Sequence, residues 1–321
     1  MAFRTVRLSF LSQCSRRYST IPPRKPFQVA IDGPAASGKS TTAKLVAQKL
    51  GFDYIDTGAF YRCVTLATLR AGIDPSMTTA SNTGAITDLA AKTKIGLETV
   101  FNTSPADTDV TTTTKKVVLP TTRVYLDDAD VSSEIRTTQV SQHVSAVAAI
   151  PGVRSAVLDK VRAIGARDIA PSTATTAQTS TEATTTAATN VATTPTTTPQ
   201  REGLVMDGRD IGTVVLPHAD LKIFLVADSR VRAERRLQEM IRNGEKRLLL
   251  SDEEKGGKER EDLVEQVRQD LERRDELDRT RKVSPLKKAV DAVELDTSNL
   301  TIAGQVEAIV QEAQRRRAIS E

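Results

Sequence analysis

The spacing of apolar and polar residues predicts an alternation of strands and helices in the first part of the chain. A short β-prone run at residues 27–31 precedes a glycine-bounded loop at residues 33–40. In residues 41–50 the apolar side chains recur at i, i+3, i+4 and i+7, which predicts a helix with one apolar face. A second strand at residues 52–55 and a second helix at residues 58–71 follow. This order of elements indicates an α/β fold built on a parallel sheet flanked by helices.

The region from about residue 75 to residue 130 has a different pattern. It contains short β-like runs separated by Thr-rich loops, at residues 95–101, 117–119 and 124–126. We interpret this region as a small subdomain inserted into the parallel fold. Residues 131–165 favour helix, with a break at Ile150-Pro151-Gly152.

The second half of the chain returns to alternating strands and helices. Strands are predicted at residues 203–206, 221–227 and 292–295, and helices at residues 229–242, 261–276 and 302–315. The polar, Gly-containing stretch at residues 244–260 is expected to be mobile. In residues 171–200, fourteen of thirty are Thr, which leaves too little apolar surface to offset the entropy of ordering. We expect a disordered surface insertion there; a glycosylated stalk is the alternative.

Composition removes several classes of protein. The 321 residues include 39% hydrophobic and 27% charged residues, enough for a soluble domain with its own core. Aromatic residues make up 3%, with no Trp, so rows of rings stacking on nucleobases are not expected. His143 and His218 lie far apart and lack metal-ligand spacing. No run of about 18 apolar residues occurs, so we expect no membrane partner.

The formal net charge of +4 belongs to the N-terminus. No acidic residue precedes Asp32, and the first eighteen residues hold Arg4, Arg7, Arg16 and Arg17. Without those four, 41 basic residues balance 41 acidic ones. A neutral body disfavours a general polyanion binder, so we expect no nucleic-acid partner. We also expect a monomeric chain.

Residues 1–20 have the composition of a mitochondrial transit peptide. They carry Arg, Ser and Thr with scattered apolar residues and no acid. Arg16-Arg17-Tyr18-Ser19 resembles a matrix-protease cleavage site before Ser19, and residues 21–26 form a Pro-rich linker. We expect a matrix location, with a disordered basic tail on a cytoplasmic protein as the alternative. Cleavage would remove Cys14 and leave Cys63, which we expect to be a core residue rather than a nucleophile.

A phosphate-binding motif lies between the first predicted strand and helix. Residues 33–40 fit G-x-x-x-x-G-K-[ST] at every fixed position. Backbone N–H groups of such a loop point at phosphate oxygens, and the following helix adds its N-terminal partial charge. Lys39 is expected at the β- and γ-phosphates and the Ser40 hydroxyl on Mg²⁺. The predicted ATP-binding residues are Gly33, Pro34, Ala35, Ala36, Ser37, Gly38, Lys39, Ser40, Thr41 and Arg235.

Three further segments predict a second site for an anionic substrate. Asp56-Thr57-Gly58-Ala59-Phe60-Tyr61-Arg62 lies at a strand-to-helix junction, where Thr57 could cap the helix. Asp207-Gly208-Arg209-Asp210 follows an apolar run, and the carboxyl ends of parallel strands line the ligand crevice. Arg274, Asp278 and Arg281 are spaced i, i+4 and i+7 on one helical face. After a mobile segment, such a face indicates a closing lid.

These motifs together resemble the bacterial-type cytidylate kinases. The resemblance includes the P-loop, the Asp56-to-Arg62 segment, Val131 to Thr137, residues 207–215 and Arg274-to-Arg281, in the family's order over roughly residues 27–315. Departures are the basic extension, the Thr-rich tract, and Thr57 where many members have Ser.

The resemblance implies a P-loop nucleoside monophosphate kinase with a parallel-sheet core, a monophosphate-binding insert near residues 75–130 and a lid near residues 244–280, in a domain at 27–315 with a tail at 316–321. It implies ATP and CMP or dCMP as substrates and Mg²⁺ as cofactor. The implied catalytic residues are Lys39, Arg209, Arg274 and Arg281. The implied CMP-binding residues are Thr57, Tyr61, Arg62, Ser145, Arg154, Arg209, Asp210, Arg274, Asp278 and Arg281.

In these roles Ser145, Arg154 and Asp210 would read cytosine. The Asp210 carboxylate can accept the N4 amino hydrogen, and Arg154 can donate to N3 and O2. Either Arg235 or Arg236 would stack on adenine. The alternatives are a UMP/CMP or adenylate kinase, and a P-loop protein that binds nucleotide without turnover.

Overall fold

The computed structural model describes residues 25–77, 79–100, 120–165, 202–242 and 256–320. The predicted transit peptide, the strand at 117–119 and the Thr-rich tract at 171–200 lie outside these ranges, as does most of the stretch at 244–260.

Eight strands and eight helices make up the described part of the chain. The strands are β1 Phe27–Asp32, β2 Asp53–Asp56, β3 Ile95–Val100, β4 Thr121–Leu126, β5 Ala129–Asp130, β6 Gly203–Gly208, β7 Leu221–Val226 and β8 Val293–Asp296. The helices are α1 Lys39–Leu50, α2 Thr57–Arg70, α3 Ala80–Lys92, α4 Thr138–Ala149, α5 Pro151–Gly165, α6 Ser229–Arg242, α7 Gly256–Thr280 and α8 Ile302–Ser320. A π-helical turn follows β6 at Ile211–Val215.

Five strands form a fully parallel central sheet in the order β2-β6-β1-β7-β8. One face packs on α1 and α8 through side chains such as Val46 and Ile309, both buried. The other face packs on α2, α3 and α5 through side chains such as Phe60, Ile86 and Val157. Helices on both faces exclude water from the sheet, as the runs of apolar strand residues require. The predicted fold class is confirmed.

The predicted insert holds a separate antiparallel sheet of order β3-β4-β5 and one helix that the sequence pattern missed. This helix, α3, begins after Thr79, whose hydroxyl accepts the N–H of Asn82. Its Thr, Asn and Gly residues are weak helix formers. Ile86 and Ala90 are fully buried, four residues apart, and pack with α2 and α5. Tertiary packing, rather than the helix propensity of its residues, therefore stabilises α3.

Boundaries differ from the predictions mainly by extension. The break between α4 and α5 lies at Ile150, as expected. The helix α7 runs over Gly256–Thr280 rather than 261–276, and α8 continues to Ser320, past the predicted end at residue 315. The strand β6 extends to Gly208 and so places the next two residues at the edge of the sheet.

Candidate active site

The loop between β1 and α1 has the backbone of an anion nest. Gly33, Ala36 and Gly38 have φ of 150°, 57° and 90°, and α1 begins at Lys39. A Cβ at Gly33 would lie 2.3 Å from the carbonyl oxygen of Leu225, so only glycine fits there. A loop with such positive φ values can present backbone N–H groups to a phosphate.

Lys39 is held at the base of this loop. Its Nζ donates to the carbonyl of Pro34 at 2.7 Å, and its side chain is almost fully buried. Burial, followed by the neighbouring Arg209 charge, lowers the pKa of Lys39 to about 7. An incoming anion would favour the charged form of Lys39, so the site is electrostatically prepared for phosphate.

Asp207, at the end of β6, is a site residue to which the sequence analysis gave no role. Its carboxylate accepts hydrogen bonds from Ser40 Oγ and Tyr54 Oη, both at 2.7 Å, and its carbonyl accepts from Thr57 Oγ1 at 2.7 Å. Burial and the charge of Asp56 raise the pKa of Asp207 to about 6. Its place at the head of the Asp-Gly-Arg-Asp motif, at a strand end, was the signal that could have found it.

The predicted cap of α2 is wrong by one residue. Asp56 caps this helix, and its side chain accepts the N–H of Ala59 at 3.1 Å. Thr57 is the first helical residue, and its hydroxyl donates to the carbonyl of Asp207. It therefore connects the end of β2 with β6 and does not cap the helix. Thr57 also lines the acceptor cleft.

The structure brings the predicted acceptor residues into one cleft. Its lining includes the residues Thr57, Tyr61, Arg62, Ser145, Arg154, Arg209, Asp210, Arg274, Asp278 and Arg281. They come from α2, α4, α5, α7, the residue that follows α7 and the segment after β6. These segments are distant from one another in the sequence, so only the folded chain brings them together in one cleft.

Asp210 and Arg154 form a buried ion pair in this cleft. Arg154 Nη2 donates to Asp210 Oδ2 at 2.5 Å, and the guanidinium lies 5.3 Å from the centre of the Tyr61 ring. Arg281 Nη2 lies 3.7 Å from the other oxygen of Asp210. A carboxylate acceptor beside guanidinium donors matches the hydrogen-bonding edge of cytosine.

Five arginines line the acceptor cleft, and only two carboxylates, those of Asp210 and Asp278, line it with them. Arg209 Nε donates to Asp278 at 2.9 Å, and Arg62 donates to the carbonyl of Ile135 and to Ser141, both at 2.9 Å. Arg274 Nε is buried and has no hydrogen-bond partner among the described residues. Burial, followed by the charges of Arg209 and Arg62, lowers the pKa of Arg274 to about 10. Guanidinium groups that have few carboxylate partners form a binding site for an anion.

A second and larger cleft of about 870 Å³ adjoins the P-loop. This volume suits a nucleotide. Its lining includes Lys39, Ser40, Thr41 and Arg235 together with Ile302 and Val306 of α8. Arg235 is held by Thr297. Its Nη1 donates to the Thr297 hydroxyl at 3.1 Å, and its Nη2 donates to the Thr297 carbonyl at 2.6 Å. Arg236 also lines the cleft and pairs with Glu239 at 2.9 Å. Both arginines that were predicted as candidates for stacking on adenine therefore lie on this cleft.

The two clefts share three arginines. Arg62, Arg209 and Arg274 line both of them. Phosphate groups entering from either cleft would therefore meet at these guanidinium groups, which is the arrangement needed to move a phosphoryl group from one nucleotide to another.

Metal ligands in this site would be oxygens. In the ranges that the structure describes, no group of three or more His, Cys, Asp or Glu side chains is placed to hold a metal ion. The Ser40 hydroxyl and the Asp207 carboxylate, bonded to each other, are oxygen donors of the kind that Mg²⁺ takes together with phosphate and water. The residues present therefore fit a nucleotide-borne Mg²⁺. Of the helices described, none is long and apolar enough to cross a membrane.

Comparison with known proteins agrees with the geometry. The family model described as cytidylate kinase matches residues 29–170 and 169–315. A cytidylate kinase of Limosilactobacillus fermentum is 39% identical over 285 residues, which cover 89% of this chain and 94% of that protein. Those of Chloroherpeton thalassium and Streptococcus thermophilus are 37% and 35% identical over 288 and 291 residues, covering 89% and 91% of this chain and 92% and 97% of the relatives. The chain therefore belongs to the cytidylate kinase family.

Proposed function

We propose that this protein transfers the γ-phosphoryl group of ATP to the α-phosphate of CMP, and of dCMP, in a Mg²⁺-dependent reaction. The observation that carries the proposal is that Arg62, Arg209 and Arg274 line both the acceptor cleft and the larger cleft beside the P-loop. Guanidinium groups at that point lie where the charge of the transferred group must be neutralised.

On the donor side, the P-loop amides and Lys39 hold the β- and γ-phosphates. Ser40 and Asp207 are the groups that would hold Mg²⁺ with the phosphate oxygens. When bound, Mg²⁺ would supply positive charge that neutralises the charge developing on the phosphate oxygens. Arg235, fixed by its two bonds to Thr297, lies on the wall of the donor cleft and is the candidate for stacking on adenine.

On the acceptor side, no general base is required because the attacking phosphate oxygen of CMP is already anionic. Arg62 and Arg209 hold that phosphate, and Arg281 adds a third guanidinium. Arg274 and Asp278 hold the ribose, with Thr57 and Tyr61 beside it. Ser145, Arg154 and Asp210 read cytosine, because uracil would place a carbonyl oxygen against the Asp210 carboxylate.

The lid is part of the proposal. The region near residues 244–280 would close over the two nucleotides and exclude water, which otherwise competes as the acceptor. Its described part, α7, carries Arg274 near its C-terminal end, and Arg281 directly follows the helix. Movement of α7 would therefore bring charge neutralisation and water exclusion together.

The test is ADP release from Mg-ATP by the full chain, with CMP, dCMP, UMP and AMP supplied in turn. We expect turnover with CMP and dCMP, and a loss on the order of 10³-fold or more with UMP. A matched pair of variants on α7 isolates the site. Arg274→Ala removes a buried cleft residue and should lose most activity, whereas Arg273→Ala removes an exposed neighbour and should retain it.

Other outcomes identify the alternatives. Silence with both cytidine nucleotides rejects the proposal. Equal turnover of UMP and CMP indicates a UMP/CMP kinase, and turnover of AMP an adenylate kinase. Tight nucleotide binding without turnover indicates a regulatory module.

We also propose that residues 1–20 direct the protein to the mitochondrial matrix. The support is the acid-free, Arg- and Ser-containing composition of this segment. A fluorescent protein fused after residue 25 should enter mitochondria, and a fusion with Arg4, Arg7, Arg16 and Arg17 changed to Gln should not. A cytoplasmic signal from the unchanged fusion would contradict the proposal.

A further inference from the structure

Asp32 is a buried carboxylate that the proposed reaction does not use directly. It is the last residue of β1, directly before Gly33 of the P-loop, and only 4% of it is exposed. Its Oδ1 accepts the N–H of Ile211 at 2.8 Å, and its Oδ2 accepts the N–H of Gly212 at 2.7 Å. One carboxylate therefore connects the start of the phosphate-donor loop with the segment that directly follows Asp210.

This segment is a π-helical turn that begins after Asp210. The carbonyl of Asp210 accepts the N–H of Val214 at 2.9 Å and of Val215 at 3.2 Å, which closes the turn. The first N–H groups of any helical turn have no partner within it. Asp32 supplies the partner for two of them, and so fixes the turn at the point from which Arg209 and Asp210 project.

The packing around the turn leaves it little freedom to adopt another position. Ile211 is fully buried. A Cβ at Gly212 would come within 3.2 Å of Lys222 Cδ and 3.4 Å of Asp32 Oδ2. The charged groups that face Asp32 are Lys39 of α1 and Asp210, and Lys222 of β7 lies on the other side of Gly212. None of these side chains donates a hydrogen bond to the carboxylate, and among the described residues its donors are the two backbone N–H groups.

A charged group at this position is costly to the fold. Burial raises the pKa of Asp32 to about 6, against the hydrogen bonds from Gly212 and Ile211, which lower it. A neutral side chain would avoid that cost, so the carboxylate is expected to serve the geometry of the turn.

We propose that Asp32 is a positioning residue for selection of the acceptor base. It acts through Ile211 and Gly212 to hold Asp210 against Arg154, the pair expected to read cytosine. The inference rests on the proposed function, because it concerns the selectivity of that same site. A purely structural anchor would affect stability and both nucleotides alike, whereas a positioning residue affects the acceptor side in particular.

The test is the substitution Asp32→Asn, which keeps the shape of the side chain. In the variant an amide NH₂ takes the place of one carboxylate oxygen and faces an N–H donor, so one of the two bonds is lost. Dissociation constants for CMP and for Mg-ATP are measured separately by calorimetry, and kcat/KM is measured with CMP and with UMP.

We expect the dissociation constant for CMP to rise about tenfold or more and the CMP-to-UMP ratio of kcat/KM to fall by a similar factor. The constant for Mg-ATP should stay within about threefold. A CMP constant and a CMP-to-UMP ratio that both stay within threefold of wild type would overturn the proposal, as would an equal loss for both nucleotides.

The matched control is Asp220→Asn. Asp220 accepts the N–H of Gln28 at 2.7 Å, so it makes the same kind of bond to the opposite end of β1, away from both clefts. This variant should leave both dissociation constants and the base selectivity unchanged. An acceptor-specific loss in Asp220→Asn as large as in Asp32→Asn would overturn the proposal.

The outcome also separates this inference from the proposed function. If wild type does not phosphorylate CMP, the proposed function fails; if it does and Asp32→Asn keeps its selectivity, only this inference fails. Should Asp32→Asn not fold, Asp32→Ser, whose hydroxyl can accept one N–H, takes its place. Hydrogen exchange in wild type completes the test: CMP should slow exchange at Ile211 and Gly212 and Mg-ATP should not, and equal effects of both nucleotides would overturn the proposal.

Discussion

At the scale of single residues, the site depends on side chains that bond to several partners at once. Arg281 is an example: its Nε donates to the carbonyl of Ser284 at 2.6 Å, its Nη1 donates to Asp278 at 3.3 Å, and its Nη2 lies 3.7 Å from Asp210. A planar fork with five donors can hold this geometry and still face a phosphate. The sequence spacing placed Arg281 on a helical face, but α7 ends at Thr280 and Arg281 directly follows it. The spacing did not predict these partners.

Arg281→Lys should be severely impaired although it keeps the charge. A lysine ammonium has one donor centre and cannot reach Ser284, Asp278 and a phosphate together, so we expect kcat/KM for CMP to fall on the order of 10²–10³-fold. Steady-state kinetics measure the loss. The control is Arg279→Lys, two residues away and exposed, which should retain wild-type kinetics. Near-normal turnover of Arg281→Lys would remove this arginine from the mechanism.

Gly208→Ala should damage the acceptor cleft by crowding alone. The added Cβ would lie 2.6 Å from Thr57 Oγ1 and 2.7 Å from Ile211 Cδ1, so the hydroxyl that bonds Asp207 must move. We expect KM for CMP to rise by roughly tenfold or more.

The control for this variant is Gly84→Ala in the middle of α3, where a Cβ meets no atom within 4 Å. Since alanine is the better helix former, this change should raise the free energy of unfolding by up to about 1 kcal/mol. Unchanged CMP kinetics in Gly208→Ala would show that the cleft tolerates the methyl group.

At the scale of elements, the helices α6 and α7 are bonded to the P-loop. Asp275 of α7 forms a buried ion pair with Arg232 of α6 and accepts the N–H of Ala35 at 3.0 Å. Arg232 also donates to the carbonyl of Ala35 at 3.2 Å. The backbone N–H and carbonyl of Ala35 are therefore both bonded to these two helices. Sequence spacing placed Asp275 on the charged helix, but nothing in the sequence predicted a contact across 240 residues.

Removal of one partner of this pair should cost more than removal of both. Arg232→Met leaves Asp275 buried and unpaired and should lower the free energy of unfolding by about 3–5 kcal/mol. The double variant Arg232→Met with Asp275→Leu should recover part of that loss, because no buried charge remains. Urea unfolding of the single and double variants measures the difference.

The control for the pair is Glu261→Gln, which breaks an exposed ion pair with Arg230 on the same two helices. It should cost less than about 1 kcal/mol. A loss in Arg232→Met no larger than in this control would show that the buried pair does not stabilise the packing of α6 and α7.

At the scale of the whole molecule, the core protects the catalytic framework. Cys63 follows Arg62 on α2 and is fully buried, which confirms the prediction of a core residue. Burial raises the pKa of its thiol to about 12, so almost no thiolate forms at neutral pH.

Cys63 should therefore report global opening of the protein. In a Cys14→Ser chain, a thiol reagent at pH 8 should label Cys63 only at the rate at which the core around α2 opens. CMP together with an ATP analogue should slow labelling, since ligands that bind the folded state stabilise it. Rapid labelling under native conditions, unaffected by ligands, would contradict this prediction.

The resemblance to the cytidylate kinases implied which arginines and aspartates belong to the acceptor site. The sequence by itself determined the parallel α/β architecture and the P-loop. Those features follow from local periodicity, from glycine chemistry and from strand ends that must lie at one edge of a parallel sheet. The tertiary structure alone decided that α3 is a helix, that Asp56 rather than Thr57 caps α2, and that Asp32, Asp207 and Asp275 are bonded to the site. Each of these depends on partners that are distant in sequence, and the burial that sets their hydrogen bonds and pKa values exists only once the elements have packed.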